Sequence, residues 1–298
     1  MFGLANCLQR YALADPKFMV SLAIFPFMSE PLPEEPPPEP ITTGSLVSDL
    51  HSLGVEAGQT VLVHSSLSSL GWVCGGAPGV VDALQRAVGE RGTVVMPTHS
   101  PGNRDPANMN HPPVPEAWYE LIREQMPPYR PSVTPTQGMG AIPECFRSYP
   151  DVRRSAHPQH SFAARGAEAD FVTDGHSYDY SFGEESPLAR VYDLDGKLLF
   201  LGTSHAANTS LHLAEYRAAL DIDTERRASA VLVDGKREWV HWEELAFDDA
   251  DFAECGAAFE REHPDGFESG RVGGANAKLL PQQSLVDFAV DWFESNRE

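Results

Sequence analysis

Hydrophobic and polar positions follow an α/β pattern from residue 42 onward. Residues 43–50 have the spacing of an amphipathic helix, and the apolar run 59–64 is typical of a short buried strand. A loop rich in hydroxyls and glycines then leads to a helix at 80–88 and a second strand at 92–97. This β-loop-α-β unit predicts two parallel strands joined by a right-handed crossover.

The remaining pattern extends the same class of fold. It predicts further helices and strands, with helices at 116–125, 138–146, 208–216, 248–262 and 284–293, and strands at 197–202, 230–233 and 238–240. We therefore expect an α/β fold with a central, largely parallel or mixed sheet flanked by helices. Residues 42–298 are expected to form one domain.

The first 41 residues differ from the rest. An apolar run at 18–28 is too short for a membrane span and is interrupted by Pro26, and a segment rich in proline and glutamate follows it. The basic start and small-residue cleavage site of a signal peptide are missing. We predict a poorly ordered or loosely packed N-terminal extension over residues 1–41, and no membrane partner.

Charge and cysteine content narrow the possible partners. The formal charge is -21, from 43 acidic against 22 basic residues, which argues against a nucleic-acid partner and favours polycations. Cys7, Cys74, Cys145 and Cys255 lie far apart in the sequence and form no CxxC pair. Neither a disulfide framework nor a cysteine metal site is expected, and a reducing cytoplasm is the simplest location.

His157 is the first candidate for chemistry. It precedes Pro158 in the stretch 153–166, where the proline biases it away from helical geometry. Because imidazole titrates near neutral pH, His157 can accept a proton from an amine or hydroxyl. The competing interpretation is that His157 and His160 are polar residues of a surface turn.

Two other patterns carry possible function. Gly75 and Gly76 precede a predicted helix, so free amides and the positive end of the helix dipole could face a pyrophosphate. The stretch matches neither GxGxxG nor a P-loop, and purely structural glycines remain the alternative. Farther along, His212 and Glu215 are three residues apart and share a helix face.

Taken in order, several motifs resemble the aminoglycoside 3-N-acetyltransferase family, whose fold is distinct from the GNAT fold. The resemblance covers about residues 42–294. The matching segments are 64–71 with Gly75 and Gly76, 96–98, 154–158 with Ser161, 183–187, Asn208 and Thr209 with 211–215, and 275–288.

The resemblance implies a three-layer acetyltransferase that uses acetyl-CoA and no metal. Its acceptor would be an amine of a 2-deoxystreptamine aminoglycoside, so the protein would confer antibiotic resistance. It implies that His157 is the general base, that a buried Glu215 carboxylate touches and orients it, and that Thr98 lies near the thioester.

The binding residues follow from the same resemblance. The expected CoA contacts are His64, Ser65, Ser66, Leu67, Ser68, Gly75, Gly76 and Ser161. The expected contacts to the antibiotic are Asp179, Glu184, Glu185, His212, Asp221 and Asp223. Two alternatives stay open: an acetyltransferase acting on another small amine or a biosynthetic intermediate, and a non-catalytic CoA-binding protein.

Overall fold

A computed structural model describes residues 39–109 and 113–297 of the 298-residue chain. The predicted N-terminal extension falls almost wholly outside the described residues. Ile41, placed in that extension, forms a parallel bridge with Val73, and its carbonyl accepts a hydrogen bond from Cys74 N at 2.8 Å.

The strands and helices alternate along the chain. The strands are β1 Thr60–Ser65, β2 Thr93–Pro97, β3 Arg153–Arg154, β4 Phe162–Gly166, β5 Lys197–Leu201, β6 Thr224–Val233, β7 Lys236–Leu245, β8 Glu268–Val272 and β9 Ala275–Pro281. The helices are α1 Thr43–Leu53, α2 Leu67–Leu70, α3 Ala77–Val88, α4 Tyr119–Gln125, α5 Ala141–Phe146, α6 Ala169–Thr173, α7 Pro187–Asp193, α8 Ser210–Arg217, α9 Phe252–Glu262 and α10 Gln282–Asn296. Short 3-10 turns lie at Pro106–Asn108, Glu116–Trp118 and His205–Ala207.

Seven strands form one mixed sheet in the order β3-β4-β2-β1-β5-β9-β8. The central strands β2, β1 and β5 are parallel, whereas β4 and β9 pair antiparallel on either side of them. The chain leaves β1 toward β2 and leaves β5 toward the opposite edge. Connections that diverge from adjacent parallel strands create a crevice at their carboxyl ends, and such crevices bind ligands.

Both faces of the sheet are covered. Alternate residues of β1 point to opposite sides, so Val61 and Val63 join a core formed with α1, α3 and α5, whereas Leu62 joins a core formed with α6 to α10. The resulting three layers confirm the predicted α/β class with a mixed central sheet. The helices packed on each face also determine where the loops between strands and helices emerge at the edge of the sheet.

The other two strands, β6 and β7, form a separate antiparallel hairpin. The pattern predicted it but made both strands too short, at 230–233 and 238–240. Four sheet strands were missed: β3 and β4 within the stretch interpreted as a loop, and β8 and β9 near the C-terminus. Within the described ranges, no helix is both long and apolar enough to cross a membrane.

Candidate active site

The carboxyl ends of the three parallel strands bring several predicted residues to one edge of the sheet. His64 and Ser65 end β1, Thr98 follows β2, and Gly202 follows β5. Gly202 has a φ of 69°, and a Cβ there would lie 2.2 Å from Ser69 Cβ, so only glycine lets this loop pass so closely. The helix α8 begins eight residues later and carries His212.

His212 and Glu215 form a histidine–carboxylate pair on α8. His212 Nδ1 donates to Glu215 Oε2 at 2.6 Å, as the three-residue spacing on a helix permits. The Glu215 side chain is fully buried, whereas 9% of the His212 side chain remains exposed. Among the described residues, the His212 ring forms a hydrogen bond only through Nδ1, and Nε2 has no partner. The pair therefore presents one free ring nitrogen.

The second oxygen of Glu215 is also engaged. Glu215 Oε1 accepts from Arg297 Nη1 at 2.6 Å and from the main-chain amide of Asp248 at 3.1 Å. Both carboxylate oxygens thus have partners, which fixes the carboxylate plane beside the imidazole.

His212 is one end of a column of stacked rings. Its ring stacks on Phe182 at 4.7 Å, Phe182 on His160 at 4.6 Å, His160 on His157 at 5.3 Å, and His157 on His176 at 5.0 Å. His212 and His176, at the two ends of this column, are each 7% exposed, whereas His157 is 0% exposed.

His157 is fully enclosed and its ring nitrogens are occupied. The main-chain amides of Gln159 and His160 donate to Nδ1 at 3.2 and 2.8 Å, so Nε2 carries the proton and faces the Tyr178 carbonyl at 3.3 Å. Burial, together with neighbouring His176 and His160, holds the pKa of His157 well below its usual value. The ring therefore stays neutral.

The predicted contact between Glu215 and His157 is wrong. The Glu215 carboxylate binds His212, Arg297 and the Asp248 amide instead. The correct partner of Glu215 was visible in the sequence, because His212 lies one helical turn away. His212 was instead predicted to contact the antibiotic.

A second buried carboxylate, Glu244 on β7, was not predicted as a site residue. It accepts hydrogen bonds from the Ser181 amide at 3.2 Å, from the Ser181 hydroxyl and from the Tyr216 hydroxyl. The Ser181 Oγ in turn accepts from His160 Nδ1 at 2.6 Å. Despite burial, these hydrogen bonds and His160 hold the pKa of Glu244 below its usual value.

One group of possible metal ligands occurs in the described part of the chain, namely His157, His160 and Glu244, whose ligand atoms lie within 4.8 Å of one another. All three side chains are buried and hydrogen-bonded within the chain.

Thr98 and Ser161 lie together, but away from any accessible surface. Both residues are 0% exposed. Thr98 Oγ1 donates to the Ser161 carbonyl at 3.1 Å, Ser161 Oγ donates to the Thr98 carbonyl at 2.8 Å, and Arg154 Nε lies within 3.2 Å of both hydroxyls. Their hydroxyls hold the Arg154 guanidinium in place.

His64 and Ser65 lie at the crevice and have unpaired polar atoms. His64 Nε2 and Ser65 Oγ are buried without a hydrogen-bond partner among the described residues. The His64 ring stacks on Phe200 at 5.3 Å, and burial followed by the proximity of His205 lowers its pKa to about 3. A buried polar atom without a partner costs about 1–3 kcal/mol, which a ligand could offset.

The rest of the predicted CoA segment surrounds the same edge. Ser66 bonds Ser68 and Ser69 through their hydroxyls at 3.2 and 3.0 Å, and Leu67 begins α2. A cavity of about 490 Å³ is lined by residues that include Ser69, Gly202 and Thr203. Gly75 and Gly76 have positive φ values of 82° and 60°, and Gly76 caps α3.

The predicted acidic contacts are all exposed. They are Asp179, Glu184, Glu185, Asp221 and Asp223. Glu184 pairs with Arg217 of α8 at 2.8 Å, and Asp179 Oδ1 accepts from the Glu243 amide at 2.8 Å. Because Phe182 stacks on His212, the loop carrying Asp179 and Glu184 adjoins the free imidazole nitrogen.

A mixed sheet with helices on both faces defines an α/β protein, and α8 adds a histidine–carboxylate pair to it. The family model described as Aminoglycoside 3-N-acetyltransferase matches residues 62–294. Over 258 residues the chain is 46% identical to the SPbeta prophage-derived aminoglycoside N(3')-acetyltransferase-like protein YokD of Bacillus subtilis (strain 168), covering 86% of this chain and 94% of that protein. The chain therefore belongs to the aminoglycoside 3-N-acetyltransferase family, a family of transferases.

Solved structures agree with the fold. The crystal structure of YokD matches with a TM-score of 0.84 at 46% identity, covering 87% of this chain and 95% of that one. AAC-IIIb, solved as a binary complex with CoASH, matches with a TM-score of 0.78 at 29% identity, covering 86% of this chain and 97% of that one. AAC-VIa bound to sisomicin matches with a TM-score of 0.77 at 30% identity, covering 86% of this chain and 98% of that one.

Proposed function

We propose that this protein transfers an acetyl group from acetyl-CoA to the 3-amino group of a 2-deoxystreptamine aminoglycoside, with His212 as the general base. The observation that carries this proposal is the His212–Glu215 pair, which leaves Nε2 without a partner among the described residues. The CoASH complex of AAC-IIIb and the sisomicin complex of AAC-VIa support the choice of both substrates.

The pair supplies the proton chemistry that acetyl transfer needs. An ionised Glu215 only accepts hydrogen bonds, so His212 keeps its proton on Nδ1 and a lone pair on Nε2. As the amine nitrogen attacks the thioester carbonyl, Nε2 takes one of its protons. The new C–N bond forms, the C–S bond breaks, and the proton passes from Nε2 to the departing thiolate. The products are an acetamide and free CoA.

Acetyl-CoA is proposed to bind along the carboxyl edge of β1 and β5. The unpartnered His64 Nε2 and Ser65 Oγ, the neighbouring cavity at Ser69 and Gly202, and the amides preceding α3 support this position. The acetyl group would then lie near His212. Thr98 and Ser161 are assigned a structural role because their hydroxyls are fully buried around Arg154.

The exposed acids beside His212 are proposed to bind the ammonium groups of the antibiotic. Asp179 and Glu185 carry no ion pair among the described residues, and Glu184 shares its charge with Arg217. The net charge of -21 adds a long-range attraction for a polycation. Asp221 and Asp223, which follow α8 in the chain and are exposed, are assigned the same role.

A matched pair of variants tests the base. His212→Asn is expected to lower kcat by about 10²–10⁴-fold, the usual contribution of a general base. In His157→Asn, the amide oxygen can still accept from the amides that now bind Nδ1, and kcat should stay within about tenfold of the original. Release of free CoA thiol gives both rates, and the reverse ranking of the two variants would make His157 the base.

A panel of acceptors tests the substrate. Thiol release with 2-deoxystreptamine aminoglycosides, acetylation at the 3-amino group by NMR of the product, and a raised inhibitory concentration in bacteria expressing the protein are the expected results. Turnover only with other small amines would favour the biosynthetic alternative, and CoA binding without turnover would favour a non-catalytic protein. Action in the cytoplasm is also proposed, since Cys74, Cys145 and Cys255 are free thiols.

A further inference from the structure

We propose that Arg297, which follows α10, is a positioning residue for acetyl transfer: it holds the Glu215 carboxylate in the plane that orients His212. This inference rests on the proposed role of His212 as the base. Arg297 lies outside residues 62–294, the part of the chain that the family model matches. It does not reach the substrate side of His212, so its influence passes through Glu215.

The geometry around Glu215 assigns one oxygen to each neighbour. Oε2 accepts from His212 Nδ1 at 2.6 Å, and Oε1 accepts from Arg297 Nη1 at 2.6 Å. Rotation of the carboxylate about its terminal bond would break both hydrogen bonds together. Arg297 therefore opposes the same rotation that would release the imidazole.

Arg297 is itself held rigidly. Its Nε and Nη2 donate to the two carboxylate oxygens of Asp251 at 2.8 and 2.5 Å, and Nη2 also donates to the Asp248 carbonyl at 2.8 Å. The guanidinium lies 3.8 Å from the centre of the Phe293 ring. A planar group fixed on several sides loses little further entropy when it binds Glu215.

The arrangement also joins three separate parts of the chain. Glu215 belongs to α8, Asp251 caps α9, and Arg297 follows α10. The Asp248 amide, in the turn before α9, adds a second donor to Glu215 Oε1. The orientation of the imidazole is thus set by the packing of the three helices as well as by the local spacing on α8.

Arg297→Ala and Arg297→Lys test this role. Because a misaligned base reduces the chemical step, Arg297→Ala is expected to lower kcat about tenfold while KM for both substrates changes less than twofold. Arg297→Lys keeps the positive charge but loses the planar guanidinium that donates to Glu215 and Asp251 together. Its kcat should lie between those of Arg297→Ala and the original protein. Added guanidinium should restore part of the rate of Arg297→Ala and leave the original protein unaffected.

Arg147→Ala is the matched control. Like Arg297, Arg147 donates to a glutamate and to a main-chain carbonyl. Its Nε and Nη2 donate to the Glu144 carboxylate, and its Nη1 donates to the Ser132 carbonyl. It makes no contact with the His212–Glu215 pair. Its kcat should be unchanged at a temperature where both variants are folded. An Arg297→Ala variant whose kcat stays within twofold, or falls no more than that of Arg147→Ala, would overturn the proposal.

A second readout does not need turnover. The Nδ1 proton of His212 should give a downfield NMR resonance in the original protein, since it is bonded to Glu215. In Arg297→Ala this resonance should shift or be lost through exchange. An unchanged resonance would refute positioning by Arg297. A changed resonance in a protein that acetylates no amine would support positioning by Arg297 and refute only the proposed function.

Discussion

His157 and His212 differ in what their ring nitrogens bind. His157 Nδ1 accepts from two main-chain amides and Nε2 faces a main-chain carbonyl, so both ring nitrogens are engaged within the protein. His212 gives only Nδ1 to Glu215. A base must accept a proton from a ligand, and among these two imidazoles only His212 has a ring nitrogen left for that step.

Glu215→Gln is the sharpest prediction at the scale of one residue. The carboxamide can turn its NH₂ toward Nδ1, which would favour the tautomer with its lone pair on the wrong nitrogen. We expect kcat to fall about 10²-fold or more, with the fold retained.

Steady-state rates of thiol release measure kcat of Glu215→Gln, and thermal unfolding checks that the variant is folded. In the same variant the carboxamide oxygen can still accept from Arg297, which also keeps its hydrogen bonds to Asp251. A rate within threefold of the original would show that Glu215 does not orient the base.

At the scale of elements, α8 is tied to the hairpin of β6 and β7 and to the loop before α7. Tyr216 of α8 and Ser181 of the loop both donate to Glu244 of β7. Tyr216 is next to Glu215 in sequence, so this buried carboxylate fixes the helix that carries the proposed base. The hairpin is thereby joined to α8 and to this loop through one carboxylate.

Glu244→Gln is expected to lower the free energy of unfolding by about 2 kcal/mol, because the carboxamide would place an NH₂ group against donors that now meet an acceptor. Glu243→Gln is the matched control, since the neighbouring side chain is exposed, and it should change stability by less than about 0.5 kcal/mol. Urea unfolding followed by circular dichroism compares them. Equal stabilities for the two variants would contradict the role given to Glu244.

The elements also show what the sequence could and could not predict. The helix at 208–216 and the strand at 59–64 were predicted because their signals are local: Asn208 and Thr209 are of the residue types that cap helices, and the strand is a continuous apolar run. The strand β4 was missed since Ala163 and Ala164 lack the bulk of strand residues. The His212–Glu215 spacing was visible on one helix, but contacts of Glu215 with Arg297, 82 residues away, depend on how α8, α9 and α10 pack.

At the scale of the whole molecule, neutral buried histidines set the response to acid. Burial lowers the pKa of His176 to about 4 and that of His64 to about 3, and it also lowers the pKa values of His99 and His157. Below the unfolded value of about 6.5 the unfolded chain binds protons that the folded chain excludes. Stability therefore falls as the pH decreases through this window.

Between pH 6.5 and 4.5, His176 and His64 are each expected to reduce the free energy of unfolding by up to about 1.4 kcal/mol per pH unit. Carboxylates add to the loss only at lower pH, because hydrogen bonds to Arg147 and Thr136 outweigh burial and hold the pKa of Glu144 at about 2. Urea unfolding at half-unit steps of pH measures the slope. His176→Gln should reduce that slope by about one proton, and a free energy of unfolding that stays constant from pH 6.5 to 4.5 would show that these rings are protonated in the folded protein.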